Sequence, residues 1–121
     1  MPFFHPNFFM LLMWLVFGHY LADFPLQGYF LEKAKNPSTV EGKDIWPHAL
    51  FAHCMIHAGF VLLFTGSIIA MVVQILTHGI TDYWKIKNKL SFGFDQYVHL
   101  LVMIGTALIV SVFSALGVPI I

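Results

Sequence analysis

Four short stretches of the chain each carry a pair of His or Asp residues at the same spacing. HYLAD sets His19 and Asp23 four residues apart, HCMIH sets His53 and His57, HGITD sets His78 and Asp82, and DQYVH sets Asp95 and His99. Imidazole and carboxylate are the usual donors for zinc, iron and manganese. On a helix, an i,i+4 pair projects from one face about one turn apart. Five imidazoles and three carboxylates exceed what one tetrahedral ion takes and would suit two ions with a bridging carboxylate. His19, Asp23, His53, His57, His78, Asp82, Asp95 and His99 are therefore the candidate metal ligands, for two zinc ions in the first instance, with iron or manganese as alternatives. Asp23, Asp82 and Asp95 are also the candidate bridging or general-base carboxylates. Lys85, just beyond Asp82, is the candidate cation for an anionic substrate. Soluble di-iron bundles use glutamates and Glu-x-x-His. Here Glu32 and Glu41 lie away from every pair, so that chemistry is not expected.

The pairs sit in apolar runs. The sequence is 59% hydrophobic and 10% charged, with a mean hydropathy of +0.80, whereas soluble domains carry about 25% charged residues. The expected fold is all-α: a single integral membrane domain over residues 1–121, a four-helix bundle running up-down-up-down. The spans fall at about residues 7–24, 47–65, 67–85 and 95–116. Pro25 stops the first, because the residue before proline avoids helical angles. Pro47 opens the second. Thr65, Gly66 and Ser67 make a tight turn to the third, and Asp95 is the expected cap of the fourth. The first apolar run does not read as a signal peptide, since it has no basic n-region and leads into His19 and Asp23.

Lysine placement sets the direction. Lys33, Lys35 and Lys43 lie in one long connection and Lys85, Lys87 and Lys89 in or beside the other. The positive-inside rule then makes residues 25–46 and 86–94 cytoplasmic loops and puts both termini outside. Within the first loop, LQGYFLEKAK reads as a short amphipathic helix in the interface. In this topology the pairs of the first and third spans end their helices and those of the second and fourth begin theirs. All four reach one depth, on the side facing the cytoplasm. An aspartate at the centre of a span costs about 2.5–3.5 kcal/mol on insertion scales, a cost that bound metal cations would offset.

Other classes are excluded or secondary. The formal net charge is zero, all six basic residues are lysines and there is no basic tract, so no nucleic-acid partner is expected. The single cysteine, Cys54, rules out an internal disulfide. His5 and His48 lack an i+4 partner and read as interfacial or packing residues. Gln27 and Gln96 read either as interface polars or as groups that orient a ligand.

Taken together, H-x3-D-F-P-L-Q from His19, H-x3-H from His53, H-x3-D-x2-K from His78 and F-D-Q-x2-H from Phe94 resemble a family of small bacterial and phage membrane proteins known as domain of unknown function 3307. More distantly, H-x3-H followed by H-x3-D looks like the pattern of membrane-bound metal-dependent hydrolases and of zinc-dependent phospholipase C and P1-type nucleases. That likeness implies His53, His57, His78 and Asp82 as metal ligands and phosphoester cleavage as the reaction. The Arg-containing box of those hydrolases has no counterpart in this arginine-free chain.

The expected function is that of a metal-dependent hydrolase of the inner (cytoplasmic) membrane. Its partners would be the bilayer and a lipid headgroup or other interfacial phosphoester, with the first loop as a lid. A homo-oligomer is compatible with the sequence. The alternatives are a haem-binding or a proton- or ion-conducting bundle, or a small membrane disruptor.

Overall fold

Five helices form along residues 7–121, the part of the chain described by the computed structural model: α1 (Phe8–Asp23), α2 (Gly28–Ala34), α3 (Trp46–Thr65), α4 (Ile68–Ile86) and α5 (Phe92–Ala115). No strand occurs among the described residues. His5 lies outside them.

Local signals account for the helix ends. The Asn7 side chain accepts from the N–H groups of Phe9 and Met10 to start α1, and Ser67 accepts from Ala70 to start α4. Ser91, rather than Asp95, caps α5 by accepting from Phe94. A serine immediately before the first helical residue suffices as a cap. The helix therefore begins three residues earlier than the sequence suggests, and Asp95 is turned inward and 1% exposed. Gly66 closes α3 in the left-handed region at φ 69°, where only glycine avoids a Cβ clash. Asn88, at φ 58°, closes α4, with the N–H of Lys89 donating to the Trp84 carbonyl at 2.9 Å. Asparagine is the residue after glycine that best tolerates this turn.

The four longer helices close a ring, α1 packing on α3 and α5, and α4 on α3 and α5. Their directions alternate. Near the start of α1, Leu11 and Leu15 meet Val61 and Phe64 late in α3 and Ala107 and Val110 late in α5. Ser67 Oγ at the head of α4 donates to the Ile121 carbonyl beyond α5. This end of the ring is an apolar core. The other end is polar, with His19, His53, His57, His78, Asp82, Asp95 and His99 all buried. Outward-facing side chains such as Phe9, Met13, Ile69, Ile80 and Ile109 are exposed and apolar. The polarity is inverted relative to a protein folded in water.

By length and composition, α3 and α5 are each able to cross a membrane. The pair α1 and α2, bent by 81° at their junction, is a third candidate. The sequence suggests four independent spans, and only this part of that expectation is met. At 16 residues, α1 extends about 24 Å at 1.5 Å per residue, short of a hydrocarbon core of about 30 Å. In α4 the inward-facing Gln74, His78, Asp82 and Lys85 lower the hydropathy of a helix whose outer face is Ile69, Val73, Leu76 and Ile80. The expected loop helix is present as α2, entered through Gly28 at φ 68°.

Candidate metal centre

Asp23 stands at the last turn of α1, where His53 and His57 of the neighbouring α3 face it. His57 Nε2 lies 2.9 Å from Asp23 Oδ1. His53 Nε2 lies 3.3 Å from the same oxygen, out of hydrogen-bond alignment. The His78 ring of α4 stacks on His57 with centroids 3.7 Å apart. One donor atom from each of Asp23, His53, His57 and His78 falls within 4.8 Å of all the others.

This set fits a divalent ion on three counts. First, three imidazole nitrogens and one carboxylate oxygen are a standard donor set for zinc. Second, both ring nitrogens of His53 and of His78 are buried with no hydrogen-bond partner among the described residues. A buried polar group left in that state costs about 1–3 kcal/mol, and a ligated nitrogen would not incur that cost. Third, tetrahedral bonds of about 2.0–2.1 Å put donors about 3.4 Å apart. The widest donor pair would therefore close by about 1.4 Å at most, while His57 Nε2 and Asp23 Oδ1, 2.9 Å apart, would separate slightly.

The second oxygen of Asp23 is held in place. Gln96 Nε2 donates to Asp23 Oδ2 at 3.0 Å and to Asp95 Oδ2 at 3.1 Å. The Gln96 carbonyl oxygen meets His19 Nε2 at 3.0 Å, and that nitrogen is 3.2 Å from Asp23 Oδ2. His19 and Gln96 thus fix the carboxylate so that Oδ1 faces the three imidazoles. Of the two readings the sequence leaves open for Gln96, this contact is the orienting one.

Asp82, Asp95 and His99 adjoin this group without joining its four donors. His99 Nε2 is 3.3 Å from Asp95 Oδ1, and the His99 ring stacks on His78 at 4.3 Å. Lys85 Nζ lies 3.4 Å from Asp82 Oδ1 and 3.6 Å from Asp95 Oδ2. All eight sequence-derived ligand candidates therefore meet in one layer, four of them around one point.

Lys35, which the sequence marks only as a topology signal, is buried in the site. It is 3% exposed and donates to Asp82 Oδ2 at 2.6 Å and to Gln27 Oε1 at 2.5 Å. The contact joins residues 47 positions apart, so no local spacing announces it. The available signal is charge: three inward-facing carboxylates need more cation than Lys85 supplies. The loop that delivers Lys35 is held by tight backbone packing at Gly42, where an added Cβ would stand 1.9 Å from the Asn36 carbonyl oxygen. Beside Asp23, Lys35 and Lys85 a cleft of about 620 Å³ opens between α2 and the α4–α5 connection, with Glu32 and Lys33 on its rim.

The architecture and the site define a class: an all-helical protein with membrane-span candidates and a buried His/Asp centre able to hold a metal ion. The chain belongs to the family described as "Protein of unknown function (DUF3307)", whose model matches residues 11–118. No curated protein and no solved structure matched it significantly.

Proposed function

We propose that the protein is an integral membrane metal-dependent hydrolase acting on a phosphoester at the membrane surface. The observation that carries this reading is the buried convergence of Asp23, His53, His57 and His78, with the ring nitrogens of two imidazoles unpartnered. In this reading α1, α3, α4 and α5 all cross the bilayer, α1 by joining α2 at the interface. The polar layer lies toward the cytoplasmic leaflet, beside the lysine-bearing connections.

The primary ion would be zinc, with iron or manganese accommodated by the same donors. A second ion, as in binuclear hydrolases, would draw on Asp82, Asp95 and His99. There Asp82 Oδ1 and Asp95 Oδ1 are buried without hydrogen-bond partners among the described residues. Lys85, 28% exposed along its side chain, would turn outward into the cleft to admit it. The ion supplies Lewis acidity and acidifies a water molecule. The chain's own residues do the rest. Water arrives through the cleft beside Asp23. Its oxygen bonds to phosphorus as the ester P–O bond breaks, while Asp95 or Asp82 takes the water proton and passes it to the departing oxygen. Lys85 faces the negative phosphoryl oxygens from the cleft wall.

The alternatives have less support. The space among His19, His57 and Gln74 is about 10 Å³, room for one water but not for a haem. The apolar layer of Leu11, Leu15, Val61, Phe64, Met103, Ala107 and Val110 fills the other half of the ring and offers no polar path for ions.

Elemental analysis of detergent-purified protein is the first test. At least one equivalent of zinc, iron or manganese is expected, and its loss in a His57→Ala, His78→Ala double variant. Metal-free wild-type protein grown with ample metal would end the proposal. Metal retained without cleavage of a chromogenic phosphodiester would leave a structural centre and remove the hydrolase.

A further inference from the structure

His19 and Gln96, the two residues that hold Asp23 Oδ2, border a second opening. A crevice of about 220 Å³ opens between α1 and α5. Tyr20, Gly93, Tyr97 and Leu100 line its walls, and His19 and Gln96 lie at its base. Those two residues hold Asp23 Oδ2. His19 is 5% exposed, and its Nδ1 has no hydrogen-bond partner among the described residues. The crevice runs into an apolar groove of about 550 Å³ along α1, Val16 and Tyr20 lining both. A Cβ built at Gly93 meets nothing within 4 Å, so a large side chain at that position has room to project into the opening.

The charges of the layer specify what could occupy it. Three carboxylates, Asp82 and Asp95 buried and Asp23 partly buried, stand against the two ammoniums of Lys35 and Lys85, leaving one negative charge. The first divalent ion would turn this into one positive charge, and a second would add to the surplus. In a medium of low dielectric such a surplus attracts a single negative charge far more strongly than in water. A phosphodiester carries one negative charge near neutral pH. An apolar groove that leads to a polar base suits a molecule with a hydrocarbon chain and such a headgroup.

We infer that the crevice between α1 and α5 seats a phosphodiester lipid drawn from the bilayer. The diester lies against His19 and Gln96, and a chain lies along the outer face of α1. Water meets it from the cleft beside Lys35 and Lys85, so the two reactants enter by separate routes. The assignment rests on the membrane metalloenzyme reading above and specifies its substrate.

The full chain in zinc-supplemented vesicles, with a phosphatidylglycerol bearing a photoactivatable group on its acyl chain, tests it. A diacylglycerol with the same chain is the comparison. Labelling at Tyr20, Tyr97 and Leu100 is expected to exceed that at Ile109 and Phe113 by about tenfold, and to fall by about tenfold with diacylglycerol or in Gly93→Phe. Zinc content at the wild-type ratio reports that Gly93→Phe has folded; if it has not, the smaller Gly93→Leu takes its place. Labelling spread evenly over the apolar surface, or unchanged on filling position 93, overturns the inference. Equal labelling by diacylglycerol, or competition by water-soluble glycerophosphodiester at the lipid's own concentration, overturns it as well. Crevice labelling in a protein that binds no metal would refute the metal centre and keep the lipid site. Stoichiometric metal with no crevice labelling would do the reverse.

Discussion

Lys35 changes how Asp82 is understood. Asp82 matches the ligand pattern by spacing, but its Oδ2 is held by an ammonium at 2.6 Å that arrives from a distant loop. Removing one partner of a buried pair costs about 3–5 kcal/mol. Lys35→Met is expected at the low end, about 3 kcal/mol, because Lys85 remains 3.4 Å from the other oxygen. Adding Asp82→Asn should recover part of that loss, as read by denaturant or thermal unfolding in detergent. Additive losses in the double variant would show that the pair is not coupled. Gln96 is the other residue whose role the geometry fixes. Groups that orient a metal ligand change affinity by about 10- to 100-fold when removed. Gln96→Leu is therefore expected to weaken zinc binding within that range in a chelator competition, and an unchanged affinity would deny it the orienting role.

At the scale of elements, the site depends on how closely α1 meets α3. A Cβ at Gly18 would lie 2.9 Å from Phe60 Cβ and 3.0 Å from the Phe64 ring. Gly18→Ala should therefore push the helices apart, costing about 1–3 kcal/mol as overpacking does. It should also shift Asp23 relative to His57 and lower metal occupancy. Gly105, in α5, has open space where its Cβ would be. Gly105→Ala is expected to be neutral or to stabilise by up to about 1 kcal/mol, the helix-propensity difference. If both substitutions act alike, contact at Gly18 is not what limits the α1–α3 approach. Ser91→Ala removes the cap of α5 and should cost about 1 kcal/mol. It would loosen the first turn that carries Asp95, and unchanged stability in thermal unfolding would deny Ser91 the capping role.

For the whole molecule, apolar side chains cover the outside of the ring and a polar layer crosses one end of its interior. That arrangement calls for a surrounding medium that is itself apolar. Ile109, 56% exposed on α5, tests the point. Ile109→Lys is expected to impair membrane insertion, since a central charge costs about 2.5–3.5 kcal/mol, as seen in a glycosylation-reporter insertion assay. A variant that instead yields more soluble, folded protein would count against the membrane assignment. The same inversion explains the lower hydropathy of α4: its polar residues face the centre and its apolar ones face out.

The sequence by itself determined the helices, their apolar surfaces and the eight donor residues. Periodicity, caps and i,i+4 spacing are local properties that a chain carries before it folds. It also implied that the four pairs share one level, because successive spans alternate in direction and the pairs lie at the helix ends beside the lysine-bearing connections. Tertiary structure decided what pairwise spacing cannot encode. It chose four of the eight donors to surround a single point, gave Asp82 to Lys35, and turned His19 and Gln96 into supports for Asp23. Those choices depend on helix rotation and on the path of a loop whose contacts are 47 residues apart in the chain. Distances of a few ångströms between side chains on different elements are set only once the ring has closed.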